Sequence, residues 1–303
     1  MIRTIVTVAM LVLPGLAFAQ GLDVQPVMPG IWAIVGPTEQ RSPDNHANNA
    51  TFGLVETDAG AVLVDPGGSW AGAEALHGVV RGLTDQPVKY VINTGGQDHR
   101  WLGNGYWQAQ GATVIASEAA VRDHKDRASL QMSALAQLLG DDLEGTEPSF
   151  ADITFERDYR LDVGQMRFDI MHRGSAHTLG DSFVWLQAQE VMFTGDIVYV
   201  DRMLGIGPAG DSVSWLEVFD AMAAFGAKHI VPGHGRATDI AQARAETRDY
   251  LSYLRSEIAK VIEAGGSIED GTHIDQSQFS YLAVFDQIAR KNAQSVYMQM
   301  EWE

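Results

Sequence analysis

The chain contains no cysteine. That excludes disulfide staples and thiolate metal ligands, so its stability must come from a hydrophobic core. Any metal site must be built from histidine, carboxylate and amide groups. Positive charge is also scarce: 21 Lys and Arg stand against 39 Asp and Glu, a formal charge of −18. A surface that acidic repels phosphate backbones and anionic lipid, which argues against nucleic-acid and peripheral membrane partners. It suits a basic partner protein or a neutral or cationic small-molecule substrate. No Pro/Ser/Gly linker, low-complexity tract or fixed-period repeat interrupts the chain. With 303 residues, 46% of them hydrophobic, it is long enough to bury one large domain with appendages. One apolar run stands out, Ile5 to Leu16, preceded by Met1-Ile2-Arg3 and followed by the small-x-small group Ala17-Phe18-Ala19. It is too short to span a bilayer and reads as a secretory signal peptide over residues 1–19, with a mature periplasmic chain from Gln20. A basic periplasmic redox partner would suit the acidic surface.

Hydrophobic periodicity divides the remainder into two groups of strands, each followed by helices. Strands are expected at Ile31–Val35, Thr51–Glu56, Ala61–Asp65, Lys89–Asn93 and Thr113–Ala116, and again at Phe155–Leu161, Arg167–His172, Phe183–Leu186, Val191–Phe193 and His229–Val231. Helices are expected at Trp70–Leu83, Leu102–Gln110, Glu118–Leu139, Val213–Phe225 and Ile240–Ala264. Arg122, Asp123, Lys125 and Asp126 are read as the exposed face of the helix over Glu118–Leu139. The tail Phe279–Met300 fits an amphipathic helix, with Tyr281, Phe285, Ile288, Asn292 and Tyr297 along one side. This pattern alone predicts a large α/β or α+β domain in which helices cover a two-sheet core.

Chemistry concentrates in a few short segments. Asn93-Thr94-Gly95-Gly96-Gln97-Asp98-His99-Arg100-Trp101-Leu102-Gly103-Asn104 joins a strand end to a helix start. Further along come Gly174-Ser175-Ala176-His177-Thr178-Leu179-Gly180-Asp181, then Val191-Met192-Phe193-Thr194-Gly195-Asp196, then Ile230-Val231-Pro232-Gly233-His234-Gly235. Val64-Asp65-Pro66-Gly67-Gly68 precedes them all. Each fragment alone is a weak signal, since a buried Gly-Asp is usually a turn and a lone histidine after Pro-Gly is usually a loop residue.

Together, in this order and spacing, they resemble the metal-binding segments of the metallo-β-lactamase superfamily. The resemblance implies a four-layer αββα sandwich. It implies His177, Asp196 and His234 as metal ligands and Asp65 as a support beneath the metal loop. The tail, with Asn292, Val296, Tyr297 and Glu301-Trp302-Glu303, resembles the periplasmic SoxH-like branch, also called quinoprotein-relay zinc metallohydrolases. On this resemblance the helical extension covers residues 240–303 of a single domain over 20–303.

The chain departs from the family pattern at the first loop. In a gap-free register Gly95 and Gln97 replace the two histidines of the first metal site, and His99 takes an aspartate position of the second. A register shifted by one instead makes Asp98-His99 an Asp-His pair. Both registers make His99 a ligand. Either way His99, Asp196 and His234 form a two-imidazole, one-carboxylate set suited to one zinc ion, with His177 or Gln97 closing a further position. Iron fits the same set.

The expected chemistry is hydrolysis of a small carbonyl or thioester-like compound by metal-activated water. Asp98 or Gln97 would orient that water, and Arg100 would hold a substrate anion or pair with Asp65 or Asp181. The alternatives are a non-catalytic binding protein on this fold and an iron-dependent sulfur-compound oxygenase. His46, Trp101, Tyr106 and the loop Met203–Pro208 are neighbours that either line the site or pack as structure.

Overall fold

In the first half of the chain, β-branched and aromatic runs alternate with short turns before helices intervene. The computed structural model describes residues 21–303, and the expected signal peptide lies outside them. The elements of this half are β1 (Asp23–Met28), β2 (Ile31–Val35), β3 (Thr51–Thr57), β4 (Gly60–Val64), α1 (Trp70–Leu83), β5 (Val88–Ile92), α2 (Asn104–Ala109), β6 (Thr113–Ser117), α3 (Glu118–Leu139) and β7 (Ile153–Phe155). The second half comprises β8 (Asp158–Val163), β9 (Met166–His172), β10 (Ser182–Leu186), β11 (Val191–Phe193), α4 (Ser212–Ala223), β12 (His229–Val231), α5 (Ile240–Ala243), α6 (Asp249–Glu263), α7 (Ile268–Thr272) and α8 (Phe285–Met300).

β1 to β7 form one sheet in sequence order, and β12-β11-β10-β9-β8 form the other. Hairpins make β1 to β4 antiparallel, whereas α1, α2 and α3 return the chain so that β4 to β7 run parallel. In the second sheet only the β11–β12 pair is parallel, with α4 as its crossover.

Alternation along the strands sends one set of side chains between the sheets. Val55, Val64, Ile92 and Ile115 meet Phe168, Ile170, Val184 and Phe193 there. The outer face of the first sheet packs Leu63, Val91 and Val114 against Leu76 and Val80 of α1 and Trp107 of α2. The outer face of the second sheet packs Phe183, Met192 and Ile230 against Trp215 of α4, Leu254 of α6 and Val296 of α8. The layers are therefore helix, sheet, sheet, helix: the αββα sandwich.

Three expectations need correction. The single strand over Phe155–Leu161 is two strands, because the chain leaves the first sheet after β7 and enters the second at β8. The helix over Ile240–Ala264 is interrupted by a π-helical turn at Arg244–Arg248, where Thr247 Oγ1 donates to Tyr199 O at 2.7 Å and accepts from Tyr199 N at 2.9 Å. The C-terminal helix starts at Phe285, not Phe279. Val284 is left-handed with φ 57°, Tyr281 is exposed, and the segment before α8 pairs with the Asp201–Met203 stretch instead. Among the described residues no helix is long and apolar enough to cross a membrane.

Candidate metal centre

The segments singled out in the sequence meet at one end of the sandwich. Asp65 follows β4, the Asn93–Asn104 loop follows β5, Asp196 follows β11 and His234 follows β12. Because β4 and β5 are parallel neighbours, as are β11 and β12, their carboxyl ends open side by side.

His99, Asp196 and His234 each offer one ligand atom, and the three atoms lie within 4.8 Å of one another. His99 Nε2 is 3.4 Å from Asp196 Oδ2, and His234 Nε2 is 3.3 Å from Asp196 Oδ1. All three residues are buried. Burial, followed by the charge of Arg100, pushes the His99 imidazole down to about 4. Burial and then Arg202 hold His234 well below the ordinary histidine range. Burial alone would raise Asp196, but Arg100 and the two imidazoles override it and hold the carboxyl well below the usual range. Two neutral imidazoles therefore face one carboxylate.

This set fits a cation on its own geometry. Both ring nitrogens of His99 are buried without a hydrogen bond; a metal on Nε2 removes the cost at that atom, and Asp98 Oδ1 lies 3.2 Å from Nδ1. His234 Nδ1 lies 2.8 Å from Asn49 O, so in the tautomer that donates there Nε2 keeps its lone pair toward Asp196. Tyr199 stacks on the His234 ring with centroids 4.5 Å apart and fixes its plane.

Arg100 lies directly beneath the group. Nε donates to Asp196 Oδ2 at 3.1 Å and Nη2 to Asp196 Oδ1 at 2.7 Å. Nη1 donates to Asp65 Oδ2 at 2.7 Å and Thr51 O at 3.1 Å, and Nη2 also to Gly233 O at 2.7 Å. All its donors are engaged and the side chain is fully buried, so the substrate-binding alternative for Arg100 is excluded. It is a positioning residue whose partners are Asp65 and Asp196, not Asp181. Asp65 carries the load from below: left-handed with φ 67°, it also accepts from Thr94 N at 2.8 Å. Gly233 permits this approach, since a Cβ there would sit 2.7 Å from Arg100 Nη2.

Asp98 is not part of the three-atom group. One carboxylate oxygen is ion-paired with Arg41 and the other accepts from His99 N at 2.8 Å. His177 stands across the same cavity. Its Nδ1 is 2.9 Å from Gly205 O and its Nε2 is 3.4 Å from Gln97 Oε1, so it faces Gln97 rather than joining the three. The cavity over the centre, about 140 Å³, is lined by Gln97, His99, His177 and His234 together with Gln40, Arg41, Asn49, Tyr199, Arg202, Gly205 and Ile288. The loop around His46 thus walls the site through Gln40, Arg41 and Asn49, with His46 outside the lining. The Met203–Pro208 loop contributes Gly205. Trp101 and Tyr106 belong to the core.

Protein fills the space that a side chain at position 95 would need. A Cβ on Gly95 would collide with Asp181 Oδ1, which is held by Thr178 Oγ1 at 2.5 Å. The loop is clamped from α3. His124 Nε2 is 2.9 Å from Gly95 O, while Gln131 Nε2 and Arg127 Nη2 donate to Gly96 O at 2.8 and 2.9 Å. Asp123, expected on the exposed face of this helix, is buried and pairs with Arg127. The loop packs directly on α3 and covers Asp123, whose carboxylate a Cβ on Gly96 would strike. Asp123, His124, Arg127, Tyr199, Arg41 and Arg202 were missed as site neighbours because periodicity carries no signal for a contact between distant loops.

The chain belongs to the metallo-beta-lactamase superfamily, whose family model matches residues 47–234, a span that contains Asp65, the Asn93–Asn104 loop, His177, Asp196 and His234. Solved structures agree on the fold. A metallo-beta-lactamase from Pontibacter korlensis is 22% identical with TM-score 0.62, covering 76% of this chain and 99% of its own. The mono-zinc form of the metallo-beta-lactamase FIM-1 from Pseudomonas aeruginosa is 17% identical with TM-score 0.60, covering 78% and 97%. The stereoselective inverting sec-alkylsulfatase Pisa1 from Pseudomonas sp. is 16% identical with TM-score 0.68; the match covers 92% of this chain but only 50% of that protein.

Proposed function

We propose that the chain is a mononuclear metal-dependent hydrolase of a small carbonyl, ester or thioester compound. The observation that carries this reading is the buried His99–Asp196–His234 group, with His99 Nε2 unpartnered and Asp196 ionised above Arg100. One zinc ion suits the donor set, and iron suits it as well. When bound, such an ion supplies Lewis acidity toward the substrate oxygen and acidifies water.

The remaining work falls to the chain. Arg100 keeps Asp196 ionised and fixes the plane of its carboxylate. Asn49 and Tyr199 set the tautomer and plane of His234. Gln97 and His177 line the cavity opposite the three ligands. With His177 Nδ1 donating to Gly205 O, its Nε2 and Gln97 Oε1 both accept, a pair suited to orienting an attacking water by taking its protons. Asp98 acts one step back, holding Arg41 and the His99 backbone in place. The N-terminal pattern supports export to the periplasm, and the tail residues support a link to sulfur oxidation or quinoprotein metabolism.

The test is metal content by mass spectrometry on protein exported and purified without chelator. About one ion per chain, lost in His99→Ala and His234→Ala, is expected. Protein that folds and carries no metal would sink the hydrolase and leave a binding protein. Iron at one equivalent would redirect the search to sulfur-compound oxidation.

A further inference from the structure

Two buried arginines adjoin the candidate centre, and they differ in one respect. Arg100 has an acceptor for every donor, whereas Arg202 does not. Arg202 is 5% exposed, and among the described residues no carboxylate forms an ion pair with it. Its Nε is buried with no partner. Nη2 donates to Gln40 Oε1 at 3.0 Å. Nη1 lies 3.3 Å from His234 Nδ1, but in the ligand tautomer that nitrogen carries a proton directed to Asn49 O. Nη1 then meets an N–H and not a lone pair. A guanidinium held out of water without an ion-pair partner is unfavourable, and an anion in the cavity offsets that penalty.

Arg41 reinforces the point. It lines the same cavity, and the charge of Arg202 is the second cause, after burial, that lowers it from the ordinary arginine range. Arg41 has Asp98 as counter-ion and keeps about a third of its side chain in solvent, with 32% exposed. The two cations are thus near one another, and only the outer one is ion-paired, while Asp196 and Glu39 act on Arg202 from beyond contact. The overall charge of −18 repels anions at long range. Screening confines that repulsion to about 8 Å in physiological salt, and direct contact with a buried guanidinium outweighs it.

Resting on the hydrolase reading for what happens next, we propose that Arg202, with Arg41 and Gln40, forms an oxyanion-binding subsite in the cavity wall. The substrate is then a small compound bearing a carboxylate, sulfate or phosphate group. Arg202 lines the same cavity as His99 and His234, so an anion held there keeps the rest of a small substrate beside the ligand imidazoles. The subsite selects small acids and leaves neutral esters bound weakly.

The experiment is calorimetric titration of the full chain with acetate, sulfate and inorganic phosphate separately, at constant ionic strength in chloride. It is run on wild type, Arg202→Gln, Arg202→Lys and Arg41→Gln, before and after chelator treatment, with metal content measured in parallel. At least one oxyanion should bind wild type about 10-fold or more tightly than Arg202→Gln, with Arg202→Lys intermediate and Arg41→Gln weakened. Preference for acetate identifies a carboxylate; preference for sulfate or phosphate identifies a tetrahedral anion. Retained binding after chelation, lost in Arg202→Gln, supports the subsite even if the hydrolase reading fails. No binding to wild type, equal binding to wild type and Arg202→Gln, or binding abolished by chelation but kept in Arg202→Gln overturns it. Should Arg202→Gln not fold, the Arg202→Lys and Arg41→Gln titrations decide on the same terms.

Discussion

Arg100 grips Asp196 through both edges of its carboxylate, Nε to Oδ2 at 3.1 Å and Nη2 to Oδ1 at 2.7 Å. The same oxygens lie 3.4 Å from His99 and 3.3 Å from His234. One fully buried guanidinium thus sets the charge and the orientation of the carboxylate on which the centre depends. It also ties together β3 through Thr51 O, the end of β4 through Asp65 and the loop after β12 through Gly233 O.

Replacing Arg100 with Gln leaves two buried carboxylates facing each other without a counter-charge. The expected loss of unfolding free energy is about 3–5 kcal/mol, read by urea denaturation. Arg100→Lys should recover little of it, since an ammonium lacks the planar fork that spans Asp196 and still reaches Asp65. Metal content should fall in both variants.

Restoring the family histidine at position 95 should not restore a first metal. The space beside Gly95 holds Asp181, whose carboxyl is pushed up to about 8 by burial and by the charge of Asp196. Gly95→His must displace Asp181 and Thr178, and overpacking of this kind costs about 1–3 kcal/mol. The metal-to-protein ratio, measured with the double variant Gly95→His/Gln97→His in excess zinc, should stay near that of wild type. A ratio rising by a full equivalent would contradict the packing argument.

Elements with complete local signals were legible in the sequence. Helix α1 spans Trp70–Leu83 and α3 spans Glu118–Leu139 as periodicity predicts, because Ser69 and Ser117 cap them and accept from the amides of Gly72 and Ala120. The short buried strands β11 and β12 were equally plain, each followed by a ligand candidate. Strand β1 was not, since an edge strand containing Pro26 and only partly buried has neither alternation nor hydrophobicity to mark it. Within the site, His99, Asp196 and His234 were found because each lies in a recognisable motif. Arg202 was not, because its significance depends on Gln40, 162 positions earlier in the chain, and on an unpartnered nitrogen that only packing reveals.

Asn292 connects the C-terminal helix to the cavity. Its Nδ2 donates to Leu204 O at 2.8 Å and its Oδ1 accepts from Ile206 N at 2.8 Å, on either side of Gly205, whose carbonyl orients His177. Asn292→Ala should raise hydrogen exchange across residues 203–208 and cost about 1–3 kcal/mol. Because His99, Asp196 and His234 are held by other contacts, metal content should be unchanged. Loss of metal in this variant would show that His177 is a ligand.

Acid sensitivity of the metal-free protein should trace to His124. Its ring stacks on Trp101 with centroids 4.6 Å apart, Nε2 lies 2.9 Å from Gly95 O, and Nδ1 is buried with no partner. Protonation would put an N–H where nothing accepts it, and burial pushes the folded-state value down to about 4 from the ordinary 6.5. Between these values the unfolded chain binds a proton that the folded chain refuses, so stability rises with pH across the window and falls as pH drops from 6.5 toward 4. The effect is on the order of 3 kcal/mol at its limit. His99, His177 and His234 add shifts of the same sign and Asp181 one of the opposite sign, so wild type must be compared with His124→Gln, both stripped of metal, by urea denaturation at several pH values. In the variant, whose amide does not titrate, the slope of stability against pH should be shallower between about 6.5 and 4. An unchanged slope would mean that the imidazole finds an acceptor for its second proton when it charges, and that the clamp on Gly95 is looser than this packing implies.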